Sequence, residues 1–191
     1  MFDKDQFVTE CLEAVRSGDR PQSVVKEIVG RSVSSASSIE KEVGDATTGP
    51  MLTTWHRSDD LTVLHIVWPP EVDLFAHDHN MWAVIGVYGG REDNQFYRRR
   101  EDGRIEPNTG KTITSGDVVA LGPEVVHSVT NPTREWTAAL HVYGGDFFAT
   151  PRTMWDAQTH QPMPFDVEFT NRVLEAAADR ARRADTLGER P

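Results

Sequence analysis

The chain has 191 residues, 38% apolar and 26% charged, and its 30 acidic against 20 basic side chains give a net charge of −10. That length suits one compact domain with its own core and short flanking elements, so a single domain over 1–191 is expected. A surface this acidic repels phosphate backbones and argues against a nucleic-acid partner. The one cysteine, Cys11, excludes a disulfide framework and a Cys-rich metal site.

The chain opens Met1-Phe-Asp-Lys-Asp-Gln6 without an apolar core of signal-peptide length. No segment approaches the ~20 apolar residues of a membrane span, so a cytoplasmic protein that meets no membrane is expected. Residues 1–45 read as helical. Phe7, Val8, Cys11, Leu12 and Val15 draw one apolar stripe, and Pro21 opens a second helix carrying Val24, Val25, Ile28 and Val29 in the same rhythm. Cys11 on that stripe is a packing residue. The Ser-rich piece from Ser32 to Ser38 reads as a link.

Over 50–150 the texture changes to β. Short apolar or alternating runs at Leu61–Trp68, Met81–Tyr88, Gln95–Arg100, Asp117–Leu121, Val125–Val129 and Trp136–Tyr143 are separated by Pro- and Gly-containing breaks, Gly110 among them. Many short strands at this spacing predict a sandwich or barrel. Arg98, Arg99 and Arg100, followed at once by Glu101 and Asp102, read as a solvated strand end. A C-terminal helix over 165–185 sets Phe169, Val173, Leu174, Ala177 and Ala181 on one side before a polar end.

The segment Phe75-Ala-His77-Asp-His79 carries the chemistry. Residues i and i+2 of a strand face the same side, so His77 and His79 aim two imidazoles at one point. Neutral imidazole there suits iron, zinc, copper or nickel. An isolated His-x-His is weak; a second segment, Gly116-Asp-Val-Val-Ala-Leu-Gly-Pro-Glu-Val-Val-His127-Ser-Val-Thr-Asn131, strengthens it.

Together the two segments resemble the two motifs of the cupin superfamily. The resemblance implies a mainly β fold, a double-stranded β-helix barrel with N-terminal helices and a C-terminal helix, and a metal held by His77, His79 and His127. Many cupins place a Glu four or five positions after the second His; here those positions are Ala83 and Val84, so three neutral histidines without a carboxylate are expected.

The run from His77 to Glu92 is also similar to the first motif of the cysteine dioxygenase type I family, which includes bacterial mercaptopropionate dioxygenases. Trp68 falls where that family has a tryptophan, and Ala139-Leu-His141-Val-Tyr143 resembles its Ser-x-His-x-Tyr motif. The resemblance, most specific over roughly residues 50 to 155, implies Fe(II), a small thiol such as cysteine or mercaptopropionate, O2 as second substrate and a sulfinate product. It gives Tyr143 and His141 catalytic roles and Arg152 the substrate's carboxylate. Ala139 departs from the pattern, removing the hydroxyl that would orient His141. The position of the cysteine that crosslinks to the tyrosine in animal members is Val84.

Other readings stay open beside these. His141 and Tyr143 share a strand face and could be a satisfied core pair, and Arg152 could pair with a surface carboxylate such as Asp156. Trp68, Trp82 and Tyr88 read as barrel packing, His65 as a core histidine, His160 as exposed, and Trp55 and His56 as near the pocket mouth. Two rival functions keep the same ligands: a three-histidine iron dioxygenase of another small substrate such as a diketone, and a non-catalytic metal-binding cupin.

Overall fold

The computed structural model describes residues 1–45, 47, 49 and 51–186. Three helices precede the strands: α1 (Lys4–Ser17), α2 (Pro21–Val33) and α3 (Ala36–Val43). Asp3 caps α1 by accepting from the Gln6 N–H at 2.8 Å, and Gly18, with φ 71°, ends it in the left-handed conformation. Pro21 sits in the first turn of α2, where its missing N–H has no intrahelical partner to lose.

Among the described residues eleven strands follow: β1 (Leu52–Arg57), β2 (Thr62–Trp68), β3 (Asp73–Asp78), β4 (Ala83–Gly89), β5 (Arg91–Arg99), β6 (Ile105–Thr114), β7 (Val118–Leu121), β8 (Val126–Thr130), β9 (Thr137–Tyr143), β10 (Thr153–Trp155) and β11 (Pro162–Pro164). They form two sheets, ordered β1-β2-β9-β4-β7 and β11-β10-β3-β8-β5-β6. Four adjacent strands of one sheet, β2-β9-β4-β7, face β3-β8-β5-β6 of the other. This is the jelly-roll order of a double-stranded β-helix. The last helix, α4 (Val167–Thr186), starts at Asp166, whose carboxylate accepts from Phe169 N at 2.8 Å. Among the described residues no helix is long and apolar enough to cross a membrane.

The first sheet is covered on both faces, which is why its strands read as continuous apolar runs. Val63, Val67, Val84, Leu140 and Val142 pack outward under Val25, Val29 and Val33 of the helices, whereas Leu64, Ile66, Ala83, Ile85 and Ala139 fill the barrel interior. Helix α2 approaches β4 at Gly86, where an added Cβ would run into the Val29 and Val33 side chains.

Several elements differ from the sequence reading. Ser32 belongs to α2, and the last three residues of the Ser-rich link, 36–38, open α3; its single buried residue, Ile39, gives too short an apolar pattern to announce a helix. Strand β6 spans the expected break at Gly110. Eight of its ten residues are polar or exposed because it lies at a sheet edge, so no alternation marks it. Phe169 is exposed, while Thr170, Ala177, Ala178 and Ala181 are the buried face of α4. Arg99 is not a free strand end: it pairs with the fully buried carboxylate of Asp78 at 2.7 Å. Trp55 packs on Phe7 and stacks on His65 under the helices, away from the pocket mouth. His160 is half-buried, its Nδ1 3.0 Å from the Ile105 carbonyl. The polar end beyond Thr186 lies outside the described residues.

The α2–β4 approach is testable. Gly86→Ala should destabilise the protein by about 1–3 kcal/mol through overpacking. A urea transition unchanged from wild type would contradict the contact.

Candidate metal centre

Strands β3 and β8 run antiparallel, and their register sets His77 directly opposite His127. His79 stands one residue beyond β3, where Asn80 turns the chain with φ 52°, a conformation Asn tolerates better than most residues. The ring centroids of His77, His79 and His127 lie 4.7–5.1 Å apart, and one ligand nitrogen from each falls within 4.8 Å of the others. All three are buried.

The hydrogen bonds of His77 and His127 direct their lone pairs to the common point. His77 donates from Nδ1 to the Phe75 carbonyl at 3.0 Å. His127 Nδ1 meets Asn94 Oδ1 at 2.7 Å, and its buried Nε2 has no protein partner. Asn94 is fixed in turn, its amide donating to Glu92 Oε1 at 2.9 Å, while Glu92 Oε2 accepts from Trp68 Nε1 at 3.1 Å. With the Asn94 NH2 committed to a carboxylate, its oxygen must face His127, and His127 must carry its proton on Nδ1. The orphaned Nε2 is then a lone pair aimed where a metal fits, so the residues present suit a divalent ion. Burial pushes the Glu92 carboxyl up to about 7. The Trp68–Glu92 bond also joins the two sheets, so Trp68 is more than barrel packing.

Burial, first of all, depresses these histidines: His77 to about 4, and His79 and His127 well below the usual range, with the neighbouring imidazoles adding to the effect on His79 and His127. They are neutral at physiological pH, the form in which imidazole binds metal. Ala83, facing the interior, leaves the position of a fourth carboxylate empty of any donor.

His141 and Tyr143 share the inner face of β9, with Nδ1 and the phenol oxygen 3.0 Å apart. The Tyr143 ring lies 5.1 Å from that of His79, so the pair belongs to the same cavity. Desolvation holds the Tyr143 phenol well above its ordinary value and His141 down at about 3, so Tyr143 keeps its proton and His141 is neutral. Nε2 of His141 has no protein partner. Ala139, two residues before His141 on the same strand, also faces inward and offers no hydroxyl.

Arg152 lines the cavity with its guanidinium 4.0 Å from the ring centroids of both Phe147 and Phe165. Among the described residues it makes no ion pair; Asp156 instead caps the turn at Thr159. Asp78, between the two ligand histidines, points away from them and accepts from Thr153 N at 2.8 Å, which anchors the segment holding Arg152. Asn80 holds the same loop through the Pro151 carbonyl at 2.8 Å. Sequence reasoning missed Glu92, Asn94, Phe147 and Phe165. For the first two a signal existed: a carboxylate and an amide at i and i+2 on a strand share a face, a pairing expected behind a ligand histidine.

No family model matches the chain. Solved structures similar to it include an RmlC-like cupin with a double-stranded β-helix fold from Methanocaldococcus jannaschii, at 15% identity and TM-score 0.45, covering 55% of this chain and 87% of that one. A Bacillus halodurans protein is similar at 17% identity and TM-score 0.46, covering 56% of this chain and 77% of its own. The dimethylsulfoniopropionate (DMSP) lyase DddQ of Ruegeria pomeroyi is similar at 18% identity and TM-score 0.40, over 50% of this chain but only 43% of the lyase.

Two outcomes follow from this geometry. Asn94→Ala should weaken metal binding about 10–100-fold while leaving the fold intact, since it frees the His127 ring and tautomer; chelator competition that shows no change would remove Asn94 from the site. Metal-free protein should also lose stability on acidification. His65, His77 and His141 sit at about 4, 4 and 3 in the folded state against an ordinary 6.5. The unfolded chain therefore binds more protons as pH falls. Stability is full above about pH 6.5 and declines toward pH 4, each histidine contributing up to about 1.4 kcal/mol per unit. His65→Gln should flatten that slope by about one proton in urea titrations.

Proposed function

We propose that this chain is a three-histidine non-haem iron(II) dioxygenase that oxidises a small thiol carrying a carboxylate to its sulfinate. The observation that carries the reading is Arg152. It is a half-buried guanidinium that makes no ion pair among the described residues, held between two phenyl faces that each lie about 6 Å from a ligand histidine ring, Phe165 at 5.9 Å from His77 and Phe147 at 6.3 Å from His79. A desolvated, unpaired cation that close to a metal cluster calls for an anionic end on a short substrate.

His77, His79 and His127 would hold iron(II), which would supply Lewis acidity toward a thiol and redox chemistry toward O2. The chain's residues do the rest. Three neutral imidazoles add no negative charge to compete with that of the substrate. Arg152 takes the carboxylate through paired N–H donors, and its phenyl neighbours keep water from the pair. Tyr143, protonated at neutral pH, offers its O–H to negative charge developing on oxygen, and His141 fixes the direction of that O–H. The overall change balances as RSH + O2 → RSO2H: sulfur gives up four electrons, O2 takes them, and both oxygen atoms end on sulfur. The proposed setting is cytoplasmic, with a small-molecule partner and neither nucleic acid nor membrane.

A second reading, the same metal acting on a diketone, draws on the unpartnered His141 Nε2, since a trimmed hydrogen-bond chain suits altered chemistry. Anaerobic iron loading followed by oxygen-electrode assays over thiols and diketones separates the two; uptake with diketones alone would sink the thiol reading. With a thiol carboxylate, Arg152→Lys should lower kcat/KM about tenfold to a hundredfold, a loss of roughly 1.5–3 kcal/mol. The loss should shrink sharply for a thiol of similar size without a carboxylate. Equal losses on both would remove Arg152 from substrate binding.

A further inference from the structure

The cavity around the three histidines is larger than a short thiol acid requires. Its volume is about 400 Å3. A cavity of about 150 Å3 accepts benzene, with six non-hydrogen atoms, the number that mercaptopropionate also has. On that scale about 250 Å3 remain beside a bound three-carbon thiol acid, room for roughly ten further non-hydrogen atoms.

The walls decide what that space is for. The polar groups gather at one end, with the histidines, Tyr143 and Arg152. Ile66, Leu74, Val129, Leu52 and Leu174 make most of the remainder apolar; α4 adds Thr170, whose hydroxyl is spent on the Asp166 carbonyl, and the exposed Asn171 and Glu175. Water gains few hydrogen bonds against such walls, and an unfilled apolar void forfeits packing contacts, so the space suits an apolar ligand group. An amino group is poorly provided for. Among the described residues the one carboxylate lining the cavity is Glu175, exposed on α4 at the mouth. Asp78 is turned to Thr153 and Arg99, and Glu92 is engaged by Trp68 and Asn94. A substrate ammonium beside Arg152 would be desolvated next to a like charge.

We propose that the substrate is an amino-free thiol acid bearing an apolar arm, aryl or branched alkyl, that fills the cavity between the barrel wall and α4. This rests on the thiol-acid reading above and names the substrate class within it.

The test uses the full chain loaded with cobalt(II) under anaerobic conditions, where a thiolate-to-cobalt charge-transfer band reports binding independently of turnover. The probes are mercaptopropionate, mercaptopropionate with a benzyl group beside the carboxylate, and cysteine. The benzyl compound should bind at least tenfold more tightly than the parent, about 1.4 kcal/mol, and cysteine more weakly than the parent. Narrowing the cavity with Leu52→Trp, at a position already 39% exposed and so tolerant of bulk, or with Leu74→Phe, should cut the benzyl preference at least threefold. Benzyl binding equal to or weaker than the parent, or a preference that survives both substitutions, would overturn the arm. Cysteine binding more tightly than mercaptopropionate would overturn the amino-free assignment. No band with any of the three thiols, on protein that still holds cobalt, would be a failure of the thiol reading itself.

Discussion

Three imidazoles can be buried side by side only if each is neutral and each presents a lone pair to the same point. A proton on any of His77, His79 or His127 would put an uncompensated charge in a dry interior beside two other ligands. Much of the barrel's polar structure serves that constraint. The Phe75 carbonyl fixes one tautomer, and the chain Trp68–Glu92–Asn94, which starts on the opposite sheet and ends on β5 beside His127, fixes another. Glu92 is buried without a cation because its role is to accept two hydrogen bonds. A glutamine there would turn an NH2 toward one of two donors and leave that donor unpaired.

The two-residue period of the strands sorts the histidines. His65 and His141 sit on neighbouring strands of one sheet, His65 opposite Leu140 and His141 opposite Leu64, so they project to opposite faces. His141 enters the cavity with Tyr143. His65 goes under the helices, 2.6 Å from the Tyr88 hydroxyl and stacked on Trp55, as a satisfied core residue. Composition cannot tell the two apart; parity does.

Parity also explains what the sequence made legible. The strands with a packed face, β2, β4, β7, β8 and β9, fall within a residue or two of the apolar runs that announced them, and the ligand histidines stand at i and i+2 in a motif of unusual spacing. Strand β6 and helix α3 were invisible because an edge strand and a two-turn helix bury too few side chains to print a pattern. Glu92 and Asn94 were hidden differently. They alternate with Asp93 and Gln95, so β5 reads polar on both faces although one face is buried. The phenyl pair around Arg152 comes from Phe147 and Phe165, 18 residues apart and brought together only by the loop fold.

The segment that supplies two ligands also places the far end of the site. Asp78 holds Thr153, Asn80 holds the Pro151 carbonyl, and Trp82 packs so tightly on Gly144 that no side chain fits there. All three contacts come from residues 78–82, directly around His79, and all three fall on the loop that carries Phe147 and Arg152. The guanidinium therefore cannot shift far without dragging the turn that seats His79. A substrate spanning metal and arginine meets a fixed distance between them, which selects for the separation of sulfur and carboxylate along its chain. On the apolar side of the cavity α4 contributes Leu174 against the barrel wall through side-chain packing rather than through hydrogen bonds to the ligand turn. The site is thus rigid along the line from metal to carboxylate and more permissive across it. In such a cavity length is discriminated sharply, and the bulk of a side arm only by what the apolar wall can cover.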